Sequence, residues 1–181
     1  MRSRRHFIPP FAVPVAAFLA AIGLGSLFLS LGAAAANDAV AYVDALFIAT
    51  SAVCVTGLAT IDVFTEFNRA GQVCVLLLMQ LGGIGIVTYT TLVFYMLSRR
   101  ISLRDRLAVR QGLSYDPGFN LGKFLQRMVL SVFFFEALGA AALWYCEPER
   151  IGLFNAVFLA VSAFCNAGFA PWQDSLIQVR G

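Results

Sequence analysis

Two short segments, at residues 54–59 and 165–170, hold the groups in this 181-residue chain that could do chemistry. Each contains a glycine and follows a stretch of about ten to twelve small and apolar residues. Glycine permits the backbone dihedrals that turn successive carbonyls toward one side of an extended segment. Rings of such carbonyls replace the hydration shell of K⁺ in potassium filters, so both segments are candidate cation sites.

The two segments belong to two copies of one internal repeat. When Gly57 is aligned with Gly168, about half of the aligned positions are identical at a single offset of about 111 residues. Besides the glycines, the identical pairs are Ala45/Ala156, Phe47/Phe158, Ala49/Ala160, Ser51/Ser162, Ala52/Ala163, Cys54/Cys165 and Ala59/Ala170. A register held over this length indicates two equivalent structural units.

The helical stretch before each segment is too short to cross a bilayer, which needs about 20 apolar residues. A half-length helix can continue as extended backbone inside a membrane only where that backbone is buried in protein or lines water. Each copy therefore predicts a re-entrant pore loop, in which a short pore helix enters the membrane and a filter segment returns.

Composition predicts that the elements around these loops lie in a membrane. Hydrophobic residues make up 60% of the chain and charged residues 13%, against roughly 45–50% and 25% in soluble domains. We therefore predict an all-α membrane protein in which the re-entrant pore loops lie between membrane helices. Residues 1–98 form the first repeat, with an outer helix at about 11–36, a pore helix at about 41–53, a filter at 54–59 and an inner helix at about 69–97. A linker at 99–119 leads to an incomplete second repeat at 120–181, with an outer helix at about 120–145, a pore helix at about 151–164 and a filter at 165–170.

The placement of charges predicts the orientation. Basic residues cluster in the leader and around the linker, at Arg2, Arg4, Arg5, Arg99, Arg100, Arg104, Arg106, Arg110, Lys123 and Arg127. Acidic residues lie in the segments between them, at Asp38, Asp44, Asp62, Glu66, Glu147, Glu149 and Asp174. Because basic clusters beside membrane spans mark the cytoplasmic side, the amino terminus and the linker are predicted to be cytoplasmic in a multi-pass protein.

The first apolar segment has an alternative reading as a secretory signal peptide, since a basic leader precedes it and three alanines end it at 34–36. Its length argues for a membrane span, because the run exceeds the 7–15 residues or so of a signal core. The basic linker lacks interleaved aromatic residues, and we expect no nucleic-acid partner.

Four motifs carry a resemblance to a known family. They are Thr50-Ser-Ala-Val-Cys-Val-Thr-Gly-Leu58, Gln80-Leu-Gly-Gly-Ile-Gly85, Arg100-Ile-Ser-Leu103 and Cys165-Asn-Ala-Gly-Phe169. With them the chain resembles the Trk/Ktr/HKT potassium transporters, and within these it is most similar to the bacterial Ktr membrane subunit. In that family four membrane-pore-membrane repeats in one polypeptide surround a single pore, and the resemblance therefore implies repeats of this potassium-channel-like type with re-entrant pore loops. This chain resembles the amino-terminal part, with one repeat and most of a second.

The resemblance implies a set of site residues and partners. It implies a K⁺-binding filter backbone at Val55, Thr56, Gly57, Leu58, Asn166, Ala167, Gly168 and Phe169. The transported ion is K⁺, with Na⁺ as a second candidate and no organic cofactor, and the location is the bacterial cytoplasmic membrane. Implied partners are the remaining repeats of the full-length subunit, a second copy in a homodimer and a cytosolic nucleotide-binding ring. With two of four filter segments the chain alone is expected not to conduct, and a non-conducting membrane scaffold or regulatory remnant of the same fold is the alternative function.

Two polar residues in the predicted spans have more than one possible role. Gln80 lies on a partly polar helical stripe with Thr88 and Thr91, which faces a water-filled cavity or supplies interhelical hydrogen bonds. Glu136 marks either a pathway or a paired structural site; we favour the structural partner, because an outer helix does not line the pore. The glycines of the 80–85 motif are expected to permit close helix packing.

We expect neither an enzyme nor a metal centre other than the transported ion. His6 is the one histidine in the sequence, no Cys-x-x-Cys pair occurs, and no nucleophile arrangement or phosphate-binding loop is recognisable. The four cysteines are not expected to form structural disulfides, since Cys54 and Cys165 occupy the same position in the two repeats.

Overall fold

The computed structural model describes residues 12–36, 40–100, 121–146 and 151–171. Within these ranges the regular elements are all α-helices, as the sequence predicted, and no β-strand occurs. The helices are α1 (Ala12–Ser30), α2 (Tyr42–Cys54), α3 (Val63–Glu66), α4 (Arg69–Arg100), α5 (Leu121–Cys146) and α6 (Leu153–Phe164). The short helices α2 and α6 follow α1 and α5, as pore helices follow outer helices in the predicted repeats.

Two helices in the described ranges are long and apolar enough to cross a membrane. They are α4, over Arg69–Ile86, and α5, over Gly122–Cys146. Shorter apolar helices lie at Pro14–Ser30, Tyr42–Cys54 and Leu153–Phe164. The predicted first outer helix at 11–36 is therefore shorter in the structure than the sequence suggested.

The chain leaves α1 at Ser30 because the residues after it pair with the start of α4. Asn68 holds this junction through its side-chain amide, whose Nδ2 donates to the carbonyls of Ala33 at 2.7 Å and Ala35 at 3.0 Å. Its backbone N–H donates to the carbonyl of Ala34 at 3.0 Å. Carbonyls that a longer α1 would satisfy internally are satisfied here across the chain.

Asn68 also caps the first turn of α4. Its Oδ1 accepts hydrogen bonds from the backbone N–H groups of Ala70 at 2.9 Å and Gly71 at 3.2 Å. An asparagine in this position satisfies donors that have no partner inside the helix. One side chain thus fixes both the segment that follows α1 and the start of α4.

The four-residue helix α3, between residues 54–59 and α4, was not predicted from the sequence. Asp62 caps it, since its Oδ1 accepts from the backbone N–H of Phe64 at 2.8 Å and of Thr65 at 3.4 Å. An aspartate before a short apolar and polar run is an N-cap signal that could have predicted it.

The core lies around α2, against which α1 and α4 pack. Ala45, Ile48, Ala49 and Ala52 are fully buried and follow helical spacing, so they share one face. Their small size allows the neighbouring backbones to come close. In the second half, α6 packs against α5 and α4.

Aromatic contacts join the first half to the second. The rings of Phe64 and Phe158 meet edge to face with centroids 4.8 Å apart. The guanidinium carbon of Arg69, at the start of α4, lies 4.2 Å from the ring centroid of Phe154 in α6. These contacts join α3 and the start of α4 to α6.

The predicted linker starts inside α4 in the structure, since Arg99 and Arg100 belong to that helix. The rest of the linker, at 101–119, lies outside the described residues, as do the basic leader at 1–6 and the loop at 147–150. The predicted cytoplasmic orientation therefore stays a prediction.

Candidate functional site

The first candidate segment begins where α2 ends in a left-handed residue. Val55, which caps the helix, has φ 58° and ψ 41°. Its N–H donates to the carbonyl of Ala52 at 3.3 Å, and the N–H of Thr56 donates to the carbonyl of Ser51 at 3.0 Å. Left-handed caps are common at helix ends, but a β-branched residue in this region is a strained exception.

The second candidate segment repeats this geometry at the equivalent residues. Asn166, which aligns with Val55, has φ 57°. Its N–H donates to the carbonyl of Ala163 at 3.1 Å, and the N–H of Ala167 donates to the carbonyl of Ser162 at 2.7 Å. The repeat in the sequence is therefore also a repeat of backbone conformation.

From 54 to 58 and from 165 to 169, the sign of φ alternates from residue to residue. Gly57 has φ 72° and Gly168 has φ 76°, whereas the residues on either side of each glycine have negative φ. In an extended strand in which φ has one sign, successive carbonyls point to opposite sides. When the sign of φ is reversed at every second residue, the carbonyls turn toward the same side. A backbone of this kind can present a row of oxygens to one cation.

The two glycines lie against each other. A Cβ added to Gly168 would be 3.2 Å from the Cα of Gly57. A Cβ added to Gly57 would overlap the carbonyl oxygen of Ala167 and lie 3.1 Å from the Cα of Gly168. Both positions thus require glycine twice, for the sign of φ and for space, and the contact brings the two segments together.

Hydroxyl groups support the segments from the side of the short helices. Ser51 Oγ and Thr56 Oγ1 are 2.9 Å apart in the first copy. In the second, the buried Ser162 donates its Oγ–H to the carbonyl oxygen of Phe169 at 2.6 Å. The predicted filter residue Phe169 has a buried side chain and a carbonyl held by a serine, whereas Leu58 has an exposed side chain.

The glycine motif of α4 packs against both segments. A Cβ at Gly82 would overlap the carbonyl of Val53 and lie 3.0 Å from Cγ2 of Val55. A Cβ at Gly83 would lie 2.5 Å from Sγ of Cys165. Consecutive glycines therefore face the first and the second segment, which is the close packing that the sequence predicted for this motif.

Two roles were open for Gln80 from the sequence, namely to face a water-filled cavity or to form interhelical hydrogen bonds. In the structure it forms interhelical hydrogen bonds. Its Nε2 donates to both carboxyl oxygens of Glu136, at 2.9 and 3.0 Å. Its side chain also borders a cavity of about 680 Å³ between α1, α4 and α5, whose other walls are mainly apolar, as at Phe18 and Phe133. Glu136 thus has a structural partner that the sequence did not identify, because the two residues are 56 positions apart.

Comparisons with known proteins assign most of the chain to one family profile. The TrkH profile, described as "Cation transport protein", matches residues 10–180. The chain is 39% identical over 138 residues to "Ktr system potassium uptake protein B" of Vibrio alginolyticus, covering 74% of this chain and 30% of that protein. It is 34% identical over 180 residues to the protein of the same name in Bacillus subtilis, covering 97% of this chain and 40% of the relative.

A third relative is named for two ions. The chain is 32% identical over 180 residues to "Potassium/sodium uptake protein NtpJ" of Enterococcus hirae, covering 97% of this chain and 40% of that protein. The chain thus spans 30–40% of the length of these three relatives.

Proposed function

Because this chain belongs to the TrkH family of cation transport proteins, we propose that it forms part of a membrane pathway for K⁺. Residues 54–59 and 165–170 are two of its filter segments, each reached through a short pore helix, α2 or α6. Relatives named as potassium uptake proteins support K⁺ as the ion. The relative named for potassium and sodium makes Na⁺ the second candidate.

One observation carries the filter proposal, namely the close approach of Gly57 and Gly168. Segments far apart in the chain meet at equivalent residues, which supports the proposal that both border a common axis. A dehydrated K⁺ needs carbonyl oxygens from several directions, because they replace its water shell. The matching alternation of φ around the two glycines supports the same role for both segments.

The proposed ligands are backbone carbonyls. They belong to Val55, Thr56 and Gly57 in the first segment and to Asn166, Ala167 and Gly168 in the second. Leu58 and Phe169 follow at the outer ends of the two segments. In this proposal the hydrogen bond from Ser162 holds the Phe169 carbonyl in place and so supports the filter. None of these side chains is ionisable, so selection between ions rests on the number and arrangement of oxygens.

The rest of the pathway comes from outside this chain. The aligned parts make up only 30% and 40% of the two Ktr-system relatives, and we propose that further filter segments lie in the remainder of the full-length polypeptide. Unpaired carbonyls that face lipid cost several kcal/mol each, so these segments also complete the wall around residues 54–59 and 165–170.

Location and partners are parts of the same proposal. We place the protein in the bacterial cytoplasmic membrane, with the amino terminus and the 99–119 linker inside, because the basic residues lie there. A homodimer and a cytosolic nucleotide-binding ring are the proposed partners. The Ktr-system names of the relatives support an assembly of several components.

Reconstitution of the full-length protein that contains this chain tests the function. Liposomes carrying it are expected to show K⁺ flux above that of empty liposomes and above their own Na⁺ flux. A folded, reconstituted protein without cation flux would favour the alternative of a non-conducting membrane scaffold or regulatory remnant.

A further inference from the structure

We infer that Glu136 is a positioning residue for the second filter segment, acting through Gln80 and Cys165. The inference rests on the proposed function, because it assumes that residues 165–170 contact the transported ion. It concerns a side chain outside both segments, on a helix that does not itself supply filter backbone.

The three side chains form one polar cluster, in which Glu136 and Gln80 are buried and Cys165 is partly buried. Glu136 is 5% exposed and Gln80 is 9% exposed. The Nε2 of Gln80 donates to both carboxyl oxygens, and Sγ of Cys165 lies 4.0 Å from Oε1. Within the described residues these are the hydrogen-bond partners of Glu136. A carboxyl group in a membrane span is costly unless such partners hold it, and it normally faces the protein interior.

Residues of two helices, α4 and α5, contact Cys165 at the start of the second segment. Cys165 directly precedes the left-handed Asn166, and its Sγ fits against Gly83 of α4, where a Cβ would lie 2.5 Å away. Gln80 lies three residues before Gly83, so both are on one face of α4. That face thus meets the start of the segment directly through Gly83 and indirectly through Glu136 of α5.

The first segment has no equivalent of this cluster within the described residues. The position 111 residues before Glu136 is Gly25, which packs against the side chain of Leu78 instead. The carboxyl group is thus a feature of the second repeat, in which Asn166 and Ala167 stand in place of Val55 and Thr56.

Exchange of the two polar groups tests the inference in the full-length protein. Gln80→Glu places two carboxyl groups in contact and removes the amide donor, and like charges in one site disfavour each other. We expect its selectivity for Rb⁺, as a K⁺ substitute, over Na⁺ to fall on the order of tenfold, since hydrogen bonds to charged groups are among the stronger ones. Glu136→Gln should have a smaller effect in the same direction, because two amides can still form one hydrogen bond.

The double variant Gln80→Glu/Glu136→Gln restores an amide beside a carboxyl group and should recover most of the selectivity. Gln126→Glu is the matched control, because it makes the same change at an exposed position of α5. The measurement is Rb⁺ uptake with and without competing Na⁺, normalised to protein in the membrane. Thermal stability of each purified variant separates misfolding from altered selection.

The possible outcomes are distinguishable. If the unmodified protein takes up Rb⁺ and Gln80→Glu selects normally, or loses only stability, the positioning role is overturned while the proposed function stands. If the double variant selects no better than Gln80→Glu, the amide–carboxyl contact is not what positions the segment. If the folded unmodified protein moves no cation, the proposed function fails, and this inference fails with it.

Discussion

Gly57 and Gly168 touch across the two repeats: a Cβ on Gly168 would lie 3.2 Å from the Cα of Gly57. Both have positive φ, and each lies two positions after a left-handed residue, Val55 or Asn166. Equivalent residues of two repeats that meet in this way indicate a local pseudosymmetry between the segments. This contact is the basis of the first prediction.

Serine at either glycine should weaken selection between ions in the full-length protein. Gly57→Ser and Gly168→Ser each place a side chain in the left-handed region, at a cost of about 1–3 kcal/mol, and in occupied space. We expect a larger loss of K⁺ over Na⁺ selection from each than from Leu58→Ile, whose side chain is exposed. Uptake of Rb⁺ and Na⁺ by cells measures this. Unchanged selectivity in both glycine variants would remove the segments from the pathway.

Asn166 should tolerate glycine but not valine. Its φ of 57° suits asparagine and glycine, whereas a β-branched residue is strained there. Asn166→Val is expected to lower stability by about 1 kcal/mol, and Asn166→Gly to change it little. Thermal unfolding of the purified full-length protein measures both. Equal stability of the two variants would mean that the left-handed conformation does not persist in the intact protein.

Asn68 should contribute to stability through two separate roles. Asn68→Asp keeps an oxygen for capping α4 but loses the donor to Ala33 and Ala35, whereas Asn68→Ala loses both functions. We expect Asn68→Ala to cost about 2–3 kcal/mol and Asn68→Asp about half of that. Denaturation of the purified protein measures the order. If Asn68→Asp is the more harmful, repulsion between the new carboxylate and the carbonyls of Ala33 and Ala35 dominates over the lost donor.

Alanine substitution should destabilise the protein to different extents at the two glycines of the α4 motif, because the two glycines face different atoms. Gly82→Ala overlaps the carbonyl of Val53, which is backbone and cannot yield easily, whereas Gly83→Ala meets the side-chain sulfur of Cys165. We therefore expect Gly82→Ala to be the more destabilising. The combination Gly83→Ala/Cys165→Ala should recover part of the loss from Gly83→Ala, because it removes the sulfur that the new methyl group meets. No recovery would show that the two residues are not in contact in the intact protein.

The topology follows from the basic clusters and can be tested in a cysteine-free full-length background. A cysteine introduced as Arg104→Cys should react with a membrane-impermeant thiol reagent only after the membrane is opened, because the linker is predicted to be cytoplasmic. Glu66→Cys, in the acidic segment between α2 and α4, is the control for the outer side. Labelling of position 104 from outside whole cells would reverse the predicted orientation.

Much of this protein could be predicted because the relevant signals are local or repeated. Hydrophobic runs and the offset between Gly57 and Gly168 predicted an all-helical chain and two equivalent segments. The motifs predicted the family, which the TrkH match confirms. The end of α1 was predicted wrongly, because the alanines at 34–36 suit a helix and nothing near them reveals their hydrogen bonds to Asn68.

The sequence by itself determined the family, the helical class and the repeat, since these depend on residue types and spacings that each stretch of chain carries alone. Only the tertiary structure decided which residues meet: Gly57 with Gly168, Gly83 with Cys165, and Gln80 with Glu136. Such contacts join residues far apart in the chain. A hydrogen bond or a close backbone approach depends on the relative placement of whole helices. The local sequence around one partner does not identify the other.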